Sequence, residues 1–161
     1  MKEFTNLDAF TKHLDQVTKQ YSQRERKALE VIGDAVERKS KENIGHLQQG
    51  AGGFKPWEPL AESTKKDKER QGYVYNSDYN PLYRTGDLRE SIHHVVNLGE
   101  HKVVIGSDSE IAAYQELGTQ HIPARSFLGL ALFTEKQKII YILGLFLQYW
   151  ITNNRSALRI V

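Results

Sequence analysis

The thirteen residues from Ile139 to Ile151 constrain this chain more than any other segment. Wound as a helix, Ile139, Ile140, Ile142, Leu143, Leu145, Phe146, Leu147, Trp150 and Ile151 cover nearly its whole circumference. Tyr141, Gly144, Gln148 and Tyr149 are all that interrupts them. A helix on the surface of a monomer keeps one face polar. A bilayer span needs about 20 apolar residues, so this run is too short for one. It reads as a buried or interface helix, covered either by a second layer of the same domain or by a neighbouring subunit. A chain of 161 residues has few elements with which to sandwich a helix, which favours self-association.

The same length fits one domain over 1–161. It divides into a helical N-terminal part (1–47), a long loop region (48–84) and an α+β core (85–161). Area scaling gives about 8,200 Å² for a compact fold of this mass and about 27,000 Å² for the unfolded chain. The absence of cysteine removes disulfides, thiol catalysis and thiolate metal sites together. Net charge is +2, too small to indicate nucleic acid, but it is unevenly spread. Residues 1–119 carry 17 Lys/Arg against 19 Asp/Glu, and residues 120–161 carry five against one. Such asymmetry can guide one subunit onto another. The first residues, Met1 to Asn6, lack the apolar centre of a signal peptide.

Leu7, Phe10, Leu14, Val17 and Tyr21 form one helical stripe, with Asn6 as its N-cap. Ser22-Gln23-Arg24-Glu25 has the form of a capping box and predicts a second helix to about Ile44, stopped by Gly45. Its apolar face is Ala28, Val31, Ile32, Ala35 and Val36. Gln48 to Gly53 is a flexible breaker. The stretch to Tyr83 has little periodicity and is expected to be a loop with at most a helical turn after Leu60. Thr85-Gly86-Asp87-Leu88 opens a short helix through Ser91. Ile92–Leu98 and Lys102–Ser107 are β-rich and joined by Gly99-Glu100-His101, which predicts a hairpin. Asp108–Leu117 is a short helix closed by Gly118, and Ile122–Leu132 is a loop that continues as a strand. A capping box at Thr134-Glu135-Lys136-Gln137 opens the last helix, about 18 residues long. Asn153–Val161 is a tail or an edge strand.

Catalytic chemistry finds little support. His93 and His94 point to opposite faces of a strand, and the other histidines lack metal-ligand spacing. They read as surface or hydrogen-bonded side chains, with no metal site and no cofactor. No phosphate-binding glycine motif or nucleophile elbow occurs. Glu116 is the best single carboxylate, and its ordinary roles are an ion pair or the capping of a turn. Tyr73, Tyr75, Tyr79 and Tyr83 could stack on single-stranded nucleic acid, but Asp67, Glu69 and Asp78 lie among them, and tyrosine-rich loops commonly serve protein contacts.

Five segments follow one another in a recognisable order: Trp57-Glu58-Pro59-Leu60 with Thr64; Pro81 to Ile92 around Thr85-Gly86-Asp87-Leu88; Val104-Ile105-Gly106-Ser107; Ala112 to Thr119, ending Tyr114-Gln115-Glu116-Leu117-Gly118-Thr119; and Ile122-Pro123-Ala124-Arg125-Ser126-Phe127-Leu128-Gly129. In this order they resemble the phage virion morphogenesis proteins of the tail-completion type, found in Mu-like and lambda-like tailed phages and prophages. Two departures stand out. Ser126 occupies a place where the family commonly has proline, and the last helix is unusually apolar.

The resemblance implies an α+β fold: a small antiparallel sheet, an N-terminal helical pair and a long C-terminal helix. It implies a structural protein without catalysis or cofactor, which completes the tail or joins it to the head. Its partners would be copies of itself, for which a ring is one arrangement, together with phage tail and head-connector proteins; membrane is not among them and nucleic acid is disfavoured. It would be made in the bacterial host cytoplasm and end in the virion near the head–tail junction. The alternatives are a tail terminator or head-side connector and, from another class, a nucleic-acid-binding module.

The motif residues then take expected roles. Gly86 and Gly118 supply positive φ, while Trp57 and Leu60 pin the loop to the core. Leu88 opens the short helix. Tyr114 buries its ring, and Thr119 follows the turn at Gly118. Pro123 fixes the approach to Arg125, and Phe127 and Leu128 plug the seam between sheet and helix. Arg125 is expected to pair with Glu116, within a subunit or across to a neighbour. Phe146 and Trp150 are the expected subunit contacts on the last helix. The acidic 108–116 segment and the basic final 40 or so residues would form opposite faces of the assembly.

Overall fold

The computed structural model describes residues 6–153. It is α+β, with two long helices and one antiparallel hairpin. Helix α1 runs unbroken over Leu7–Asn43, 37 residues, with the Asn6 side chain accepting from Ala9 N at 2.8 Å as the N-cap. The expected helical pair is therefore one helix. The two apolar stripes are in phase, since Tyr21, Ala28, Ile32 and Ala35 follow one another at helical spacing. Glu25 occupies the intervening position on that face. It is buried and bonded to His101 Nδ1 at 2.5 Å, so the apparent capping box is a mid-helix segment whose glutamate holds another element.

The loop region contains helix α2, Glu62–Gln71, where at most a turn was expected. Gly72, at φ 74°, ends it. The Gly50–Gly53 segment is not a loose breaker either. Ala51 and Phe54 form a β-bridge, and the Phe54 ring sits 6.3 Å from that of Phe133. A one-turn helix α3, Asp87–Glu90, leads into strand β1, Ile92–Asn97. A 3-10 turn, Leu98–Glu100, connects it to β2, Lys102–Ser107. The strands pair with Ile92 opposite Ser107 and Asn97 opposite Lys102. His101 takes the left-handed corner at φ 51°.

Helix α4, Glu110–Leu117, ends at Gly118. Helix α5 spans Leu128–Asn153, 26 residues. It begins six residues before the expected capping box and takes up the segment expected to be a strand. Thr134 lies inside it, its hydroxyl donating to Leu130 O at 2.8 Å. Residues 154–161, most of the expected tail or edge strand, lie outside the described residues.

Helix α1 is the spine. It packs on the hairpin along one side and antiparallel to α5 along another: Asn43 Nδ2 donates to Phe127 O at 3.0 Å, and the Tyr21 ring meets that of Phe146 at 5.5 Å. The core joins the two, with Ile44, Trp57, Ile92, Ala112 and Phe127 packed together. Phe127 and Ile92 are fully buried. The accessible surface is 11351 Å², well above the ~8,200 Å² expected of a compact fold. Exposed apolar side chains along the two long helices contribute to that surplus.

Candidate functional site

Glu116 lies on α4 facing the start of α5. Its Oε2 accepts from Phe127 N at 2.7 Å and Leu128 N at 2.9 Å. Its Oε1 accepts from Gly129 N at 2.9 Å and from the Ser126 hydroxyl at 2.5 Å. The first amides of a helix have no partner within it, and its N-terminus carries partial positive charge. One carboxylate from α4 answers both needs, so Glu116 caps a turn and does not pair with Arg125. With four donors its oxygens are fully used. Ser126 supplies one of those donors, a contact that a proline there could not make.

Arg125 turns the other way. Its backbone N donates to Gln115 O at 2.7 Å, and its Nη2 donates to Glu58 O at 2.9 Å. The side chain is only 6% exposed, and its Nε has no hydrogen-bond partner; neither does the nearby Gln115 Oε1. Burial lowers the Arg125 pKa from its ordinary value, against the opposing charge of Glu58. No carboxylate among the described residues forms an ion pair with it.

Arg125 lines a groove of about 780 Å³. Four motif segments meet there: Glu58–Leu60, Leu82–Leu88, Ile122–Arg125 and, through Gln115, Ala112–Thr119. Each is held in place. Trp57 anchors the first in the core, and its N donates to Gln48 O at 2.9 Å. Gly86, at φ 107°, turns the second into α3, whose Leu88 packs on the core. The third is shaped by Thr119, whose N donates to Ile122 O at 2.8 Å and whose Oγ1 accepts from Ile122 N at 3.1 Å. Gly118 has φ 76°, and a Cβ there would fall 2.8 Å from Ala124 N. Leu60 and Pro123 are groove walls. Leu128 packs at the edge of the core, as expected.

Tyr114 departs from expectation. It is exposed, as are Ile111 and Leu117, its neighbours on the same face of α4. Ala112, on the opposite face, is the residue α4 buries in the core.

Lys68 was not singled out in the sequence. It stands in the charged run Lys65–Arg70, which reads as solvated, yet it is buried. Its Nζ donates to Asn80 O at 2.8 Å and Tyr83 O at 2.6 Å, and it borders the groove. Burial, with the charge of Arg84, brings its pKa down to about 8. Those carbonyls belong to a segment in which Tyr79, Asn80 and Leu82 all have positive φ. Nothing in a run of lysines marks the one that braces a distant turn.

Phe146 and Trp150 lie apart from the groove, on α5. Both rings meet Tyr21 of α1, at 5.5 and 6.3 Å, and the Arg24 guanidinium sits 3.4 Å above the Tyr149 ring. The side of α5 toward α1 is thus built from Ile139, Ile142 and Phe146, which are half-buried. Leu132, Ile140, Leu143, Leu145, Leu147 and Ile151 remain exposed. On α1, Leu7, Phe10 and Leu14 are exposed too. The long helices form an arm that exposes these apolar side chains along its length.

His94 and His101 tie the hairpin to α1. His94 crosses α1 over Gly33, with Nδ1 2.7 Å from Glu37 and Nε2 3.1 Å from Glu30, while His93 is exposed on the other face. No group of residues able to hold a metal ion occurs among the described residues. No helix among them is long and apolar enough to cross a membrane.

Residues 5–147 match the model of the phage virion morphogenesis family. The chain belongs to that family. No curated protein and no solved structure matches it. The family is one of virion structure and assembly, which accords with a molecule whose most prominent features are an apolar arm and a motif-lined groove.

Proposed function

We propose that this chain is a non-enzymatic structural protein that completes the phage tail or joins it to the head, and that it works as a homo-oligomer. The observation that carries the reading is the arm. From Ile139 to Ile151 helix α5 is apolar around nearly its whole circumference, but α1 covers one side only. Monomers rarely expose contiguous apolar patches beyond a few hundred Å². A second copy of the chain is the cover this reading supplies, and a head-to-tail contact whose rotation closes would make the oligomer a ring. The protein would be made in the bacterial host cytoplasm and end at or near the head–tail junction of the virion.

The acidic and basic faces expected from the charge asymmetry contribute less to this reading. Glu116 is committed to α5 and Arg125 is buried in the groove wall, so the pair expected between them does not form.

The test is assembly. Leu143→Asp with Leu147→Asp places two charges on the outer side of α5 and leaves the Tyr21 contacts of Phe146 and Trp150 in place. A phage lacking its own copy of the protein, complemented with this double variant, should yield separate heads and tails with infectious titre down at least about a hundredfold. Wild-type titre from the double variant would refute the arm's role.

A further inference from the structure

We propose that the motif groove is a receptor for a carboxylate, taken by Arg125 from an acidic residue flanked by apolar residues in an extended segment of a partner protein. The guanidinium is the anchor. It is 6% exposed, bonded to one carbonyl, unpartnered at Nε and without an ion pair among the described residues, and it lines a groove of about 780 Å³. Burying a charge without an ionic partner is costly, and a planar fork of donors matches a carboxylate in both geometry and charge. Lys68, also buried, adds a second cation to the lining and likewise forms no ion pair among the described residues.

The walls indicate what surrounds the carboxylate. Leu60, Leu82, Leu88, Ile111 and Ile122 line the groove, and the exposed face of α4 adds Tyr114 and Leu117 beside Ile111. An apolar residue next to the acid would lie against them. A nucleic-acid backbone fits less well. Phosphate tracking relies on exposed basic side chains, whereas Arg125 and Lys68 are buried. The groove is separate from the α5 arm, so this inference and the oligomer reading can fail independently.

The test uses a blocked pentapeptide with one glutamate between leucines, its glutamine analogue, and a 20-base-pair DNA duplex, each added to the full chain. Binding is followed by the ¹⁵N–¹H resonance of Arg125 Nε and by calorimetry. The glutamate peptide should shift that resonance and bind at least about tenfold more tightly than the glutamine peptide. Arg125→Gln should abolish the preference. Ile111→Asp, an exposed change at the groove wall, should weaken glutamate binding while leaving the fold and the oligomer mass unchanged, which guards against a folding defect in the first variant. Equal binding of the two peptides, no shift at millimolar glutamate peptide, or a shift produced only by DNA would each overturn the proposal.

Discussion

At the scale of single residues, two carboxylate contacts organise this molecule. Glu116 ties α4 to the first turn of α5 through four donors. Glu116→Gln keeps the shape but removes the charge and turns one acceptor into a donor facing other donors. It should lower stability by roughly 1–2 kcal/mol, read as a fall in the denaturation midpoint. The second contact joins His94 to α1. Burial lowers the His94 pKa, but its hydrogen bonds to Glu37 and Glu30 and the charges of Glu37 and Asp34 outweigh it, leaving a net rise above 6.5. Glu37 moves down from 4.5: burial raises it, and its bonds to Lys41 and His94 prevail. A raised histidine stabilises the fold fully below its unfolded pKa and loses that contribution as pH rises through the folded one. A lowered carboxylate stabilises above its unfolded pKa and loses the contribution as pH falls through the folded one. Urea midpoints should therefore be highest between about pH 4.5 and 6.5 and decline on the alkaline side. His94→Gln should flatten the alkaline decline. An unchanged slope in that variant would remove His94 as its cause.

At the scale of elements, what the sequence showed depended on whether the signal was local. The hairpin was legible because alternation and a short connection are properties of neighbouring residues. Even there the left-handed corner fell on His101, which Glu25 of α1 holds, and not on Gly99. The short α4 and its Gly118 stop were legible for the same reason. The start of α5 was not, because its cap is a glutamate from another helix. The split of α1 was misread because Glu25 stands where an apolar residue would show the stripe to be continuous. In the groove, Arg125 was picked out by its motif, but its partner was assigned by proximity in sequence. The packing of β1 on α1 gives a prediction of its own. A Cβ at Gly33 would stand 2.3 Å from His94 Cδ2. Gly33→Ala gains about 1 kcal/mol in helix propensity. Overpacking of this kind costs typically 1–3 kcal/mol, and the ring, pinned by two carboxylates, has little room to yield. The net effect should be a loss of stability, seen as a lower melting temperature; a gain would mean the hairpin does not rest on α1 as described.

At the scale of the whole molecule, the chain is a compact core with a long apolar arm. The core brings the five motif segments together, and the groove lies where four of them meet. The arm contributes to a surface larger than a compact monomer of this mass would have, and leaves Ile140, Leu143 and Leu147 exposed. Self-association through that arm is the central claim, and the mass of the purified protein by light scattering across a concentration series tests it most directly. The account predicts a defined oligomer for the wild type, retained at high salt because apolar contact drives it, and monomer for Leu143→Asp with Leu147→Asp. A wild-type protein that stays monomeric at every concentration would contradict it.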